Sequence, residues 1–273
     1  MAQLMIGSSR TSISLVREEI NSEYQNPALA DAGRGLLQVA DLLSRERLLR
    51  SSLADSGRSA ADRSAVIDQV LGDRTNDLAR KLSGYLVAQR WSSESDLVDA
   101  FEIAGAQALL AAAETDGHLE RVEDELFQVG RALVADGELQ LVLSSPAMSA
   151  ESKQAIITDL LSDKADPVTI ELLSFTASHL RGRRLEQSVD TLSRLAAERR
   201  DQMVAVVTAA EPLSADQEGR LAAALERIYG SAVNLNIDID PTLVGGITVK
   251  IGDEVIDGSI ASRIETARRR LAG

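Results

Sequence analysis

The residues that most often carry chemistry are sparse in this chain. His118 and His179 are its only histidines and there is no cysteine. Two imidazoles far apart in sequence do not make a histidine-rich metal centre. Without thiols there is no disulfide framework, thiol catalysis or cysteine-ligated metal, a composition that suits a reducing cytoplasm. Each histidine reads as a surface or helix-end residue rather than a catalytic one. Carboxylates are plentiful: Glu123, Asp124 and Glu125 stand together, and Asp238, Asp240, Asp253 and Asp257 follow. Paired acids can serve general acid–base chemistry or bind Ca²⁺. The EF-hand spacing is absent, however, and acids in a chain of formal net charge −13 are ordinarily solvated. Gly245-Gly246 belongs to neither a P-loop nor a dinucleotide fingerprint and reads instead as a strand position where the backbone bulges or another chain comes close. No G-x-S-x-G elbow occurs. The expectation is a protein that is not an enzyme and has no catalytic, cofactor-binding or metal site.

Composition supports a packed helical protein. Of 273 residues, 44 % are hydrophobic, only 3 % aromatic and 26 % charged, and a core built largely from Ala and Leu favours helices. The acidic surface, with a pI near 4.7, repels phosphate backbones and anionic lipid, so neither nucleic acid nor direct membrane insertion is expected. No apolar run approaches the roughly 20 residues needed to cross a bilayer, and the N-terminus lacks the apolar stretch of a signal peptide. Two basic clusters, Arg181–Arg184 and Arg268–Arg270, fall near expected helix ends, where cations offset the helix dipole; the other reading is a docking patch. Trp91, the single tryptophan, either packs between helices or anchors a partner contact.

The organisation is set by an internal repeat. The segment from Leu36 to Arg74 aligns without gaps on Leu126 to Lys164, with twelve of 39 positions identical, against about three expected by chance for ordinary composition. Among the identities are Gln38/Gln128, Val39/Val129, Leu43/Leu133, Leu53/Leu143, Ser59/Ser149, Ile67/Ile157 and Leu71/Leu161. After a one-residue slip the match resumes with Val98-Asp99 on Val189-Asp190. Ser59 and Ser149 fit N-caps of matching helices, and Asp62 completes a capping-box arrangement with Ser59. Pro146 and Pro167 mark helix starts, and further helices are expected over 103–114, 120–135, 167–180 and 185–200. Each copy therefore reads as a bundle of five or six helices. The expected domains are copy one over 1–100, copy two over 101–200, and a different fold over 201–273.

That last region opens with a β-branched run from Met203. Ser214 and Gln217 then form a capping box ahead of a helix with Leu221, Leu225 and Ile228 on one face, ended by Gly230. Val233, Leu235, Ile237 and Ile239 alternate with polar residues, as in a half-buried strand. A hairpin follows, with Ile247, Val249 and Ile251 on one face and a turn at Gly252-Asp253. Asp257-Gly258-Ser259 leads into a closing helix with Ile260, Ile264, Ala267 and Leu271 on one stripe. The fold class expected is mostly α with a small α+β domain: two tandem helical bundles, then a strand–helix–strands–helix domain.

From about Ile103 onward the chain resembles the bacterial F-type ATP synthase delta subunit, the relative of the mitochondrial oligomycin-sensitivity-conferring protein. The most specific stretch is "DPTLVGGITVKIGDEVIDGSIASRIETARRRL", whose signature positions are Asp240, Pro241, Gly245, Gly246, Gly252, Asp257, Gly258 and Ser259. "SSPAMSAESKQAII" from Ser144, "DPVTIELLSF" from Asp166 and "VTAAEPLS" from Val207 are similar to further family stretches. Gly105 stands where the family's first helix usually carries an aromatic, and Glu171 where an Asn is common in its fifth helix. The extra N-terminal copy resembles actinobacterial members with a duplicated helical domain.

The resemblance implies a stator connector of the peripheral stalk, held at the cytoplasmic face of the cell membrane by its partners. Its helical domain would hold N-terminal helices of α subunits at the crown of the catalytic hexamer, and its C-terminal domain the end of the b-type stalk. Candidate α-subunit contacts are Leu109, Leu110, Leu172 and Phe175, on the first and fifth helices of copy two; ordinary bundle core is the other reading of each. Candidate b-type contacts are Ile260, Ile264 and Leu271. A helical adaptor of another complex that keeps the same fold is the alternative.

Overall fold

A computed structural model describes residues 7–145, 147–200, 203–229, 233–241, 243, 245–251 and 254–257. They form two compact units, divided between Arg199 and Arg200. The first unit is helical. It contains α1 (Ser8–Ser22), α2 (Leu29–Arg45), α3 (Arg47–Ala54), α4 (Ala60–Leu71), α5 (Asp77–Ala88), α6 (Glu94–Thr115), α7 (Leu119–Ala135), α8 (Gly137–Ser144), α9 (Ala150–Leu161), α10 (Pro167–Ser178) and α11 (Leu185–Arg200).

The repeat in sequence becomes a repeat of helices. Each of α2, α3, α4 and α5 starts and stops at positions matched, ninety residues on, by α7, α8, α9 and α10. The same local chemistry starts the matched helices. The hydroxyls of Ser59 and Ser149 accept from the amides of Asp62 and Ser152 at 3.1 and 3.2 Å. Asn76 and Asp166 cap α5 and α10, and Pro167 opens α10, where its missing N–H costs nothing.

Helix α6 has two parts to play. Capped by Ser93, it closes copy one, and its stretch from Val98 to Ala112 is the ninety-residue counterpart of α1. Residue 100, the expected edge between the copies, therefore falls inside a continuous helix. Fifteen of its 22 residues are buried, so it shows no single apolar face. One hydrophobic core runs through both copies, from Leu36, Leu43 and Leu82 through Phe101 and Leu109 to Leu126, Leu172 and Val189.

The second unit holds β1 (Met203–Ala209), α12 (Ala215–Tyr229), β2 (Val233–Ile239), β3 (Ile247–Ile251) and β4 (Glu254–Asp257), in a mixed sheet of order β2-β1-β3-β4. β1 pairs parallel with β2 (Ala205 opposite Leu235) and antiparallel with β3 (Val207 opposite Val249), and β3 and β4 form the expected hairpin. The capping box is reciprocal: the Ser214 amide donates to Gln217 Oε1 at 2.8 Å, and the Gln217 amide to Ser214 Oγ at 3.4 Å. Leu225, Val207, Val233, Val249 and Ile251 make the core.

Two expectations for this unit change. Ile228 shares the stripe of Leu221 and Leu225 but is 64 % exposed in the last turn of α12, uncovered among the described residues. Gly245 and Gly246 do not bulge a strand. They lie in the turn entering β3 with φ of 131° and 86°, where glycine supplies backbone angles that other residues avoid. Gly230, Gly252, Gly258, Ser259, Ile260, Ile264, Leu271 and Arg268–Arg270 lie outside the described residues.

Candidate functional site

The four α-subunit candidates are covered by the chain itself to different degrees. Leu109 and Leu110 on α6 are wholly buried, Leu172 on α10 is 2 % exposed, and Phe175 is half-buried, its ring stacked on His179 at 4.1 Å. Helix α2 of copy one lies across this α6–α10 face. Gly33 and Gly105 permit the approach. A Cβ on Gly33 would stand 2.9 Å from Leu109 and 3.0 Å from the Gly105 carbonyl oxygen, and one on Gly105 would stand 2.7 Å from Leu37. Leu37 joins Leu172 and Phe175 around a small residual cavity of about 30 Å³.

Polar pairs fix α2 along its length. Arg34 Nε donates to both carboxylate oxygens of Glu171 at 3.1 Å, and His179 Nε2 meets Asp41 Oδ1 at 2.9 Å. Burial alone would raise the Asp41 carboxyl, but hydrogen bonds from Arg45 and His179 outweigh it and hold the group below its ordinary value. Gly105 and Glu171, the two positions noted for departing from the delta-subunit pattern, are both among the residues that meet α2.

The arginines after α10 form a clamp. Arg181 adopts φ of 47° ahead of Gly182, which turns the chain back toward α6. Arg181 binds Asp99 and reaches Glu102 at 3.0 Å, and Arg183 Nη2 donates to Glu102 Oε2 at 2.8 Å. The helix-end reading of this cluster holds for Arg183, which donates to the His179 and Leu180 carbonyls at the end of α10, each at 2.9 Å; together Arg181 and Arg183 also lock the α10–α11 turn onto α6 of the same unit. Glu102 is only 7 % exposed, and removing one partner of a buried pair leaves the others uncompensated. Glu102→Gln is expected to cost about 2 kcal/mol in urea unfolding, with Asp99→Asn, at the more exposed end, costing less.

Other singled-out residues bond or pack within the chain. Trp91 is 6 % exposed and its indole N–H donates to the Leu86 carbonyl at 3.0 Å, so it packs within copy one. His118 and His179 occupy the N-cap of α7 and the C-cap of α10, and His118 Nδ1 lies 2.9 Å from Asp166. Asp240 follows β2, and its amide donates to the Ala209 carbonyl at 2.9 Å. Among the described residues no group of three or more His, Cys, Asp or Glu could hold a metal ion, and no helix is long and apolar enough to cross a membrane.

Sequence reasoning missed one surface. Between α7 and α11 lies an open groove of about 580 Å³, walled on one side by Leu126, Phe127, Gly130 and Val134 and on the other by Glu186 and Asp190. The repeat held its signal. Copy one brings the equivalent helices together through Gly33 and Gly105, but copy two has Glu123 and Ala196 at the matching positions, which cannot approach as closely.

Comparisons with known proteins agree with the resemblance. The family model described as ATP synthase delta (OSCP) subunit matches residues 103–271, beginning within α6. The "ATP synthase subunit delta" of Streptomyces griseus is 42 % identical over 271 residues, covering 98 % of this chain and 100 % of that one. Proteins of the same name from Thermobifida fusca and Nocardia farcinica are 41 % and 40 % identical, each covering 98 % of this chain and 100 % of theirs. A chain of the cryo-EM structure of the Toxoplasma gondii mitochondrial ATP synthase hexamer aligns with TM-score 0.28 and 29 % identity over 63 % of this chain and 97 % of that one, too loose a superposition to compare the folds. The relatives match from end to end, copy one included, and the chain belongs to the ATP synthase delta (OSCP) subunit family.

Proposed function

We propose that this protein is a non-catalytic connector in the peripheral stalk of an F-type ATP synthase, joining the crown of the α/β hexamer to the b-type stalk and resisting torque during ATP synthesis. The observation that carries this reading is the match to delta subunits over 98 % of the chain. In this role the protein sits at the cytoplasmic face of the membrane, held there by its partners.

The helical unit has the mechanics a connector needs. Torque on the hexamer must not be lost in a hinge between the two copies, and α6 removes that hinge. At 1.5 Å per residue its 22 residues make a rod of about 33 Å, closing one copy and opening the other. The buried pairs from Arg181 and Arg183 to Asp99 and Glu102 brace the rod at one end. In this reading Leu109, Leu172 and Phe175 act through packing near α2, and Leu110 in the buried core, rather than by touching an α-subunit helix. The α-subunit N-terminal helices meet other faces of the unit, and Ile260, Ile264 and Leu271 meet the b-type stalk.

Gentle affinity purification of the tagged full-length chain from native membranes tests the assignment. Recovery of α, β and b-type subunits in fixed proportion is the expected result. Their absence would favour the alternative, an adaptor of another complex.

A further inference from the structure

We infer that α8 and α9 of copy two form a latch that opens from the bundle as a local unit, whereas copy one is held shut at the same place by Arg63. The inference concerns the chain by itself, so it goes beyond the stalk assignment and does not depend on it.

The internal repeat supplies the comparison. Helices α3 and α4 of copy one are the counterparts of α8 and α9, ninety residues on. Arg63 on α4 is 4 % exposed, and its guanidinium bridges two helix ends. Its Nη2 donates at 2.9 Å to the carbonyl of Ala88, the last residue of α5, and its Nη1 at 3.4 Å to that of Asp55, the C-cap of α3. One side chain thus clasps three helices, with its cation at the carbonyl ends of two of them. Copy two carries Lys153 at this position. Lys153 is 6 % exposed, yet it makes no hydrogen bond or ion pair among the described residues. A compact ammonium cannot fork across two carbonyls as a guanidinium does. Burial without a partner lowers the Lys153 pKa, so its charge weakens the place that the charge of Arg63 fastens.

Packing differs in the same direction. Helix α3 packs against α2, α4 and α6, whereas α8 packs against α7 and has no more than glancing contact with α9 or α11 among the described residues. Helix α4 buries Ile67 and Leu71, but of their counterparts on α9 only Ile157 is buried and Leu161 is half-buried. A cavity of about 120 Å³ lies where α7, α8, α9, α10 and α11 meet, lined only by apolar side chains, Leu133, Leu143, Ile157, Leu173 and Val189 among them. Close-packed interiors leave few voids larger than a water molecule, and side chains facing one lose attractive contacts. Without the clasp and with fewer buried contacts, α8 and α9 need less free energy to open locally than the whole bundle needs to unfold.

Native-state hydrogen exchange on the purified full-length chain tests this with matched amides. Leu143 and Ile157 should exchange at least about ten-fold faster than the identical residues Leu53 and Ile67, after correction for intrinsic rates. Low urea should change the rates of Leu143 and Ile157 little, as a local opening exposes little surface. Exchanging the two cations is the second test. Arg63→Lys should speed exchange in α3 and α4 at least about ten-fold and leave α8 and α9 as they were, and Lys153→Arg should slow α8 and α9 by a similar factor. Arg63→Lys decides the role of the clasp, since the shorter side chain needs no new space. Equal exchange of the matched amides would overturn the inference, as would an α3–α4 pair unchanged in Arg63→Lys or exchange that rises equally in both copies. If the amides behave as expected but the chain does not co-purify with ATP synthase subunits, the latch stands and the stalk assignment fails.

Discussion

Replacing Gly33 by valine is expected to lower the stability of the helical unit by about 3 kcal/mol and its melting temperature by roughly 10 °C. On an exposed helix the change would be mildly favourable, because glycine is among the poorest helix formers. Here the added Cβ would meet the Gly105 carbonyl oxygen at 3.0 Å and the Leu109 amide nitrogen at 3.1 Å. These are backbone atoms of a buried helix and cannot swing aside, so α2 must lift from α6, uncovering Leu37 and the α6–α10 face. Gly33→Ala should destabilise by less. Gly137→Ala is the control: nothing lies within 4 Å of its added Cβ, and it should be neutral or slightly stabilising. Opposite signs for Gly33→Ala and Gly137→Ala, measured by thermal melts, would show that the effect is the contact rather than propensity.

Removing Arg199 should be costlier still. This side chain, 8 % exposed, ties the end of α11 to copy one: its Nε lies 2.6 Å from Glu114 on α6, its Nη1 donates to Asn21 Oδ1 at 2.8 Å, and its guanidinium lies over the Tyr24 ring at 5.5 Å. Burial lowers the Arg199 pKa, and burial also raises the Glu114 carboxyl, with Arg199 offsetting part of that rise. Arg199→Met leaves a buried carboxylate without its partner and should cost about 4 kcal/mol near neutral pH. The sign of the pH dependence follows. With a folded-state pKa above the unfolded value, Glu114 takes up its proton first in the folded protein, so its cost exists when ionised and fades as pH falls through the folded pKa. Losing Arg199 raises that pKa further. The deficit of Arg199→Met relative to wild type should therefore shrink in mildly acidic buffer, and Glu114→Gln in the same chain should recover much of it. Arg199→Lys keeps the charge but not the planar contact with Asn21 and Tyr24, and should fall between.

Much of the fold was legible because local signals and the repeat agree. Ser59 and Ser149 cap matched helices, Pro167 starts α10, and the Ser214–Gln217 box and the β3–β4 hairpin stand where the residue pattern places them. The joint between copies was not legible. Covered on nearly all sides, α6 has no amphipathic stripe to mark where one bundle ends, and a boundary drawn from the repeat alone cuts through it. Leu109, Leu110, Leu172 and Phe175 show a related difficulty. An apolar residue at helical spacing looks the same whether its own chain or a partner covers it, and only the placement of α2 tells the two apart. Gly105 and Glu171 held the clue, since one removes bulk in the path of α2 and the other supplies the carboxylate that Arg34 grips. The α7–α11 groove was readable only by comparing copies, where Glu123 and Ala196 replace the glycines that close the equivalent seam.

The role as a connector is tested most directly by ATP-driven proton pumping in inverted membrane vesicles from cells lacking this chain. A hexamer that is not held still continues to hydrolyse ATP, but its rotation is not passed to the membrane sector. Hydrolysis should persist while acidification of the vesicle lumen is lost, and adding the purified full-length chain should restore it. Acidification that proceeds undiminished without the chain would contradict the account.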